Sequence, residues 1–454
     1  MTQALELAHA ALAAADGVDA EAVVQSERSG FARFAGSEVH QPTLVENETV
    51  QLRVVLGDRV GVALTNRTSG DGLRELAQRA RESAESAEAD PLFPGLAEPR
   101  APADVGAFDQ ATARLAADEQ AHAAAAAIEA ADGFPVYGYF TSGTSAIAVA
   151  SSTGVAVEQE STDATVCVLA ATDGASGWAE QTASAAGNVD PAAAARQAVE
   201  KAERTRGATA VEPGRYAAVL EPSAVADLLQ EFGRDSFGAL GLLEERSYLT
   251  GRLGSRIFDE KVSVSDDALD PRGLVKRFDF EGVPKQRVVL VDGGIARGVV
   301  WDRLTAALAA NGHESTGHAP PAVAISQGPE ALALSLAPGE AESPDELAAL
   351  VGDGLYVTRL HYLGLVNPRE GVITGMTRDG TFRIRDGRVA EPLMNLRFTV
   401  SVADVLGDVP ALTRDVRLVN ESDFYEQRYP IGALVPALAT RRFNVTGVGS
   451  GPGL

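Results

Sequence analysis

LLQEFGRDSFGAL, from Leu228 to Leu240, is the stretch on which the reading of this chain turns. Val225, Leu228, Leu229 and Phe232 recur at i, i+3, i+4 and i+7, which predicts an amphipathic helix with one buried stripe. Asp227, Gln230, Glu231 and Arg234 repeat the same spacing on the opposite face. A helix bearing His-Glu with a second histidine nearby is a common zinc-holding device. Glu231 stands where such a motif places its glutamate, but the flanking positions hold Gln230 and Asp235. On a straight helix those two point about 140° apart at 3.6 residues per turn. They converge on one ion only if the helix breaks or bulges near Gly233. Glutamine is a weak neutral ligand, and an isolated Asp/Glu pair suits hard cations better than zinc. The residues alone therefore favour a solvated polar face, with Glu231 and Arg234 pairing at i, i+3.

The surrounding chain has 454 residues, long enough for two or three domains, and 45% of them are apolar, which is ample for burial. Sixty-three acidic residues against 39 basic ones give a net charge of −24, spread without a long acidic block. Such a field repels phosphate backbones and anionic lipid, so neither nucleic acid nor a membrane is an expected partner. Cys167, in ATVCVLA, is the single cysteine; it reads as a small core residue, and its solitude fits a reducing cytoplasm. The opening MTQALELAHAALAAAD lacks a basic leader, and no uncharged apolar run approaches a membrane span. A cytoplasmic protein is expected.

Periodicity predicts an α+β fold in two domains, 1–211 and 212–454. A helix over Ala4–Ala15 precedes the strand-like runs EAVVQSERSG, FARFAGSEVHQPTL, ETVQLRVVL and RVGVALTN, with Gly57-Asp58 as a hairpin turn. A second helix follows Ser69 or Asp71 as its cap, a proline-rich loop spans Asp90–Asp104, and a third helix covers Ala111–Ala131. VYGYFTSGTSAIAVASSTGVAVEQESTDATVCVLAATDG reads as an antiparallel meander, followed by a helix ending at Gly207. VEPGRYAAVLEP is the junction to a β-rich second half that carries the Leu228 helix, a Trp301–Ala310 helix and short strands such as RVVLVDGG and GTFRIRDGRV. No repeat of fixed period is present.

Other chemistry by spacing is thin. Of six histidines only His313 and His318, in NGHESTGHAPP, lie five residues apart; Glu314 is the nearby third candidate, and three ligands are the usual minimum for catalytic zinc. SGTSA and GASGW lack the strand-turn-helix context of a nucleophile elbow. VDGGIARG reads as a hairpin turn around Gly293-Gly294, and the terminal GVGSGPGL, with no helix after it, as a flexible tail.

RLGSRIF, SVSDD followed by FDFEGVP, the DGGI turn and STGHA occur in this order in a segment that resembles the TldD/PmbA (TldD/TldE) family of zinc metallopeptidases. RFAGSEVHQPTLVENETVQLRVVLGDRVGVALTN resembles that family's N-terminal strands, and EPLMNLRFTVSVADVLGDV with VPALATRRFNVTG its closing elements. In the family's catalytic subunits an HExxxH motif and a later cysteine hold zinc, and the glutamate activates water. The resemblance sets LLQEFGRD on that motif, with Gln230 and Asp235 at the histidine positions and Glu231 at the glutamate; no cysteine follows Cys167. It thus implies a TldE/PmbA-like subunit with no catalytic residue and no metal of its own. The implied partner is a zinc-bearing TldD-like homologue, the implied substrate a small or unfolded peptide. Two alternatives of other classes stay open: an independent hydrolase or tailoring enzyme with an unrecognised site, and a scaffold without an enzymatic partner.

Overall fold

The computed structural model describes residues 2–106, 108–309, 312–422, 424 and 427–449. Its first half runs α1 (Gln3–Ala14), β1 (Asp19–Ala35), β2 (Glu38–Leu56), β3 (Arg59–Thr65), α2 (Gly70–Ser86), α3 (Gln110–Ala113), α4 (Ala117–Ala130), β4 (Val136–Ser151), β5 (Ala156–Thr172), β6 (Ala175–Ala183) and α5 (Pro191–Arg204). The six strands form one antiparallel sheet in the order β3-β2-β1-β4-β5-β6.

Strand alternation divides the work of this sheet between its faces. On one face Ala22 and Val24, Val50, Leu52 and Val54, and Ala148 and Ala150 pack against α1 and α2. Farther along the same face Phe34, Phe140, Val166 and Val168 pack against α4 and α5. On the other face Val23, Ile147, Val149 and Val157 meet Phe278, Phe280 and Val283 from the second half of the chain. Glu21, Arg53, Thr141 and Asp163 are buried there too. Arg53 Nη1 donates to Glu281 across the boundary (2.9 Å) and its Nε lies 3.6 Å from Glu21.

Three expected elements differ in extent. The four strand-like runs before Asn66 are three strands, because Gly30 does not end β1: it stays paired with Leu44 on one side and Ser142 on the other. The expected Ala111–Ala131 helix is split into α3 and α4, since the Glu119 carboxylate accepts from the Ala116 amide (2.8 Å) and starts a new helix there. Ser69 caps α2 through the Gly72 amide (3.2 Å). Cys167 is half-buried, not a core residue; its sulfur accepts from Trp178 Nε1 (3.0 Å), and burial pushes its thiol pKa up to about 12.

The second half comprises β7 (Gly214–Leu220), α6 (Pro222–Ser236), α7 (Ala239–Leu243), β8 (Val264–Asp266), β9 (Val288–Asp292), β10 (Ile295–Ala296), α8 (Arg303–Ala309), β11 (Leu334–Leu336), α9 (Pro344–Val351), β12 (Gly354–Asn367), β13 (Val372–Arg385), β14 (Arg388–Leu393), β15 (Leu396–Ser401), α10 (Val402–Leu406), β16 (Leu412–Asn420) and β17 (Gly432–Val448). Its mixed sheet follows β10-β9-β8-β11-β17-β15-β13-β12-β7, and β7 pairs back onto β17. Five strands therefore close on themselves, which leaves β7 without an open edge. Ala218 and Leu220 of β7 join the core around α6, whereas Val219 between them joins a smaller core under α9. The architecture is α+β, as the periodicity predicts. Of the terminal GVGSGPGL, Gly447 and Val448 belong to β17 and the Gly449 amide donates to Asn395 O (2.7 Å); residues 450–454 lie outside the described residues, as does Ala310 at the end of the expected Trp301 helix. Among the described residues no helix is long and apolar enough to cross a membrane.

Candidate functional site

Helix α6 starts where Pro222 pre-sets the first helical dihedral and the amide it lacks would have had no partner anyway. Glu221, just before it, is tied to neighbouring elements: Lys201 Nζ (2.7 Å) and the Tyr356 hydroxyl (2.9 Å) both donate to its carboxylate. The predicted stripe of Val225, Leu228, Leu229 and Phe232 is buried. Phe232 meets Phe237 and Tyr248 edge-on, each at 5.4 Å between ring centroids. The helix runs unbroken through Gly233, where an added Cβ would stand 3.0 Å from Leu334 and 3.1 Å from Phe237. Glycine there admits close packing and makes no kink, so Gln230 and Asp235 do not converge.

The opposite face departs from a plain solvated one. It lines a cleft of about 590 Å³ with Arg246, Glu330, Leu332, Glu421 and Ile431. Asp235 is ion-paired with Arg246, which also donates to Glu244 (2.6 Å). Glu231 lies 3.8 Å from Arg234, the same distance that separates Arg234 from Glu330. Gln230 Oε1 is buried with no hydrogen-bond partner. One turn earlier, Asp227 accepts from the Leu360 amide (3.0 Å), which draws this end of the face against β12.

Behind the face stand two more carboxylates the sequence did not single out. Glu180, within β6, accepts from the Asn420 amide (2.9 Å) and so joins the two halves of the chain. Glu421 follows Asn420, and its Oε1 is buried without a partner. Burial pushes Glu180 up to about 7 and Asp227 up to about 6. Glu421 is raised well above the carboxylate range by burial and by the charges of Asp227 and Glu180. Nothing in the sequence marks these residues, because a carboxylate in a strand or loop ordinarily faces water.

Zinc does not suit this donor set: one position offers a neutral amide, the other a carboxylate already held by Arg246, and the two diverge. Among the described residues no three of His, Cys, Asp and Glu stand close enough to hold one metal ion. The loop histidines also go elsewhere. His313 stacks on Trp301 (4.1 Å, 15°), and Glu314 lies 3.6 Å from Arg100. His318 is buried between Thr316 Oγ1 and Asp266 Oδ1, each at 2.9 Å. Burial and nearby Lys285 lower its pKa, which leaves a neutral ring whose Nε2–H donates to Asp266.

The segments FDFEGVP, DGGI and STGHA are structural. The Asp279 carboxylate accepts from the amides of Glu281, Val283 and Ala319, each at 2.9 Å, and so knits the first segment to the last. Gly294 has φ 77° and a Cβ there would lie 2.2 Å from Phe258 O; Gly317 has φ 78° and would meet Pro284 O at 2.4 Å. Only glycine fits either turn without displacing backbone.

Comparison with known proteins agrees with this arrangement. Three family models match in order: PmbA/TldA metallopeptidase domain 1 over residues 20–84, the central domain over 108–206 and the C-terminal domain over 213–447. A metalloprotease of Methanothermobacter thermautotrophicus is 30% identical over 254 residues, 56% of this chain and 55% of that protein. A metalloprotease TldD homolog of Haemophilus influenzae is 25% identical over 263 residues, 56% of this chain and 52% of that protein. The chain thus spans about half the length of these curated relatives. The solved structure of TldE from Thermococcus kodakarensis has the same fold, with a TM-score of 0.85 at 19% identity over 97% of this chain and 99% of that one. With its C-terminal model alone spanning helix α6, the cleft and the closed strands, the chain belongs to the PmbA/TldD metallopeptidase family.

Proposed function

We propose that this chain is the non-catalytic, TldE-like subunit of a two-component zinc metallopeptidase, paired in the cytoplasm with a zinc-bearing TldD-like homologue and acting on small or unfolded peptides. One observation carries the reading. Helix α6 is intact and packed, yet it offers Gln230 and an Arg246-paired Asp235 where zinc needs two imidazoles. A complete fold without its metal chemistry is most simply explained by a structural task, and association with a homologue is the task this reading assigns to it. A standing contact of this kind buries more than about 1,000 Å² with an apolar centre.

Copurification with the HExxxH homologue, followed by metal analysis and peptidase assays of each chain alone and together, tests this. One complex is expected, active only with both chains, its zinc carried by the partner. Activity should vanish when the partner's motif glutamate is changed and should survive Glu231→Gln here. Replacing both Gln230 and Asp235 by histidine should still leave zinc substoichiometric, because no third protein ligand is at hand. Separate elution of the two homologues, or full activity of the partner alone, defeats the reading.

A further inference from the structure

Lys276 and Lys285 flank FDFEGVP, which the Phe278–Pro284 bridge and the Lys285 amide, donating to Arg277 O (3.0 Å), fold into a hairpin. Both side chains line one small cavity of about 20 Å³, together with Tyr429 and aliphatic wall that includes Leu274, Leu332 and Ile431. Room of about 10–15 Å³ holds one water, so the cavity takes a single small occupant. Lys276 and Lys285 are only 7% and 8% exposed. Lys276 Nζ lies 4.8 Å from the centre of the Tyr429 ring. Among the described residues neither ammonium makes a hydrogen bond or an ion pair, and the Tyr429 hydroxyl makes no hydrogen bond. The carboxylates whose charge reaches the lysines are engaged elsewhere. Asp163 is held by Arg428 (2.8 and 2.6 Å), Asp266 by His318 and the Ala333 amide (2.9 Å each), and Asp279 by three backbone amides. Burial lowers the pKa of both lysines, Lys276 to about 8, where the charge of Lys285 adds to the effect and that of Asp163 opposes it.

We propose that this cavity binds one small monovalent anion of chloride size, held between the Lys276 and Lys285 ammoniums with the Tyr429 hydroxyl as a third donor. All three polar tips can donate, and the only side-chain acceptor in the lining is that same hydroxyl oxygen. A water would accept from two of the tips and leave its own protons against aliphatic wall. An anion needs no acceptor, and it brings the counter-charge that two buried ammoniums lack. A metal cation is repelled by the two like charges, and sulfate or phosphate is too large for a space of one water. The bound ion would join two parts of the chain. Lys276 and Lys285 belong to the FDFEGVP hairpin, and Tyr429 to the C-terminal stretch that Arg428 anchors on the first sheet. Leu332 and Ile431 line both this cavity and the cleft over α6, so the way in lies between them. None of this depends on the subunit assignment, since every group involved belongs to this chain.

The test has a crystallographic and a solution arm, both on the full chain near neutral pH. Crystals grown with sodium bromide as the only halide should show an anomalous bromide peak in the cavity, in contact with both ammoniums. In solution, exchanging gluconate for chloride at constant ionic strength should raise the thermal midpoint along a saturating curve, by about 2 °C, as a ligand that binds only the folded chain does. Lys276→Met and Lys285→Met should each move half-saturation to at least about tenfold higher chloride, the loss of one charge-assisted hydrogen bond. Tyr429→Phe should move it about threefold, and it serves where a lysine variant fails to fold, as judged by circular dichroism. A water-like peak without anomalous signal overturns the proposal. So does a midpoint that rises equally in gluconate, a chloride response that does not saturate, or one that is unchanged in every folded variant. A bromide peak with no chloride response in solution means binding at crystal concentration only, and overturns it as well.

Discussion

Two buried polar regions of this protein are built on opposite plans. Where the C-terminal segment crosses the first sheet, Arg428 is 4% exposed and its Nε and Nη2 donate to both oxygens of Asp163 (2.8 and 2.6 Å), while Nη1 donates to Thr141 Oγ1 (3.1 Å). Its backbone amide donates to Glu27 (3.0 Å), and next to it Gln427 bridges Thr49 and Gln25 O. Charge meets charge there in bidentate geometry. In the cleft over α6, by contrast, carboxylates face carboxylates and two oxygens go unpaired. Holding two halves together does not by itself require full pairing, since Glu21, Arg53 and Glu281 at the same boundary also carry buried atoms without a partner. A region that leaves groups unsatisfied carries a cost of about 1–3 kcal/mol for each orphan, which makes a shared proton among the cleft carboxylates the natural explanation.

The largest effect that separates the two regions is expected at the satisfied one. Arg428→Ala strands the buried Asp163 carboxylate and should cost about 3–5 kcal/mol, read as a lower midpoint in urea unfolding. Next, Asp279→Ala leaves three amides without their acceptor, and a loss of roughly 3 kcal/mol is expected by the same measurement.

The pH response probes the unsatisfied region. Glu180 moves from 4.5 to about 7 on folding and Asp227 from 3.8 to about 6, so the folded protein keeps protons that the unfolded chain has released. Their stabilising contribution is complete below the unfolded values and is lost as pH rises through the folded ones. For Glu180 this amounts to at most about 3 kcal/mol, less in practice because the side chain keeps some solvent contact. The thermal midpoint should therefore fall as pH is raised from about 5 to about 8, and Glu180→Gln should flatten that fall. Glu21 and Asp279, each raised to about 7, add to the same slope and remain in the variant. An identical slope in Glu180→Gln would remove the cleft from the account.

The smallest effect belongs to the zinc-position pair itself. Asp235 and Arg246 are 29% and 40% exposed at the side chain, so Asp235→Ala should cost no more than about 1 kcal/mol. A cost as large as that of Arg428→Ala would show that Asp235 is a structural element of the α6 packing.

Local signals were the legible ones. The alternation of β1 and β4, the Gly57-Asp58 turn, the Ser69 cap and the stripe on α6 all follow from short-range periodicity and turn chemistry, and the structure has them. The order of FDFEGVP, DGGI and STGHA carried the family, although the spacing of no single motif did. What stayed illegible were residues whose role comes from partners far away in sequence: Arg428 and Asp163 are 265 positions apart, Glu180 and Asn420 are 240. Read singly, each resembles an exposed polar residue.

From its residues alone the chain determined its helices, its hairpins and the lack of two imidazoles on α6, because propensity, spacing and ligand chemistry act within a few positions. Only the tertiary structure decided that the polar face of that helix lines a cleft and is not open to water. That outcome depends on β6, β12 and the stretch after β16 being brought to one place, and burial is a property of the assembled neighbours, which no single stretch of sequence contains.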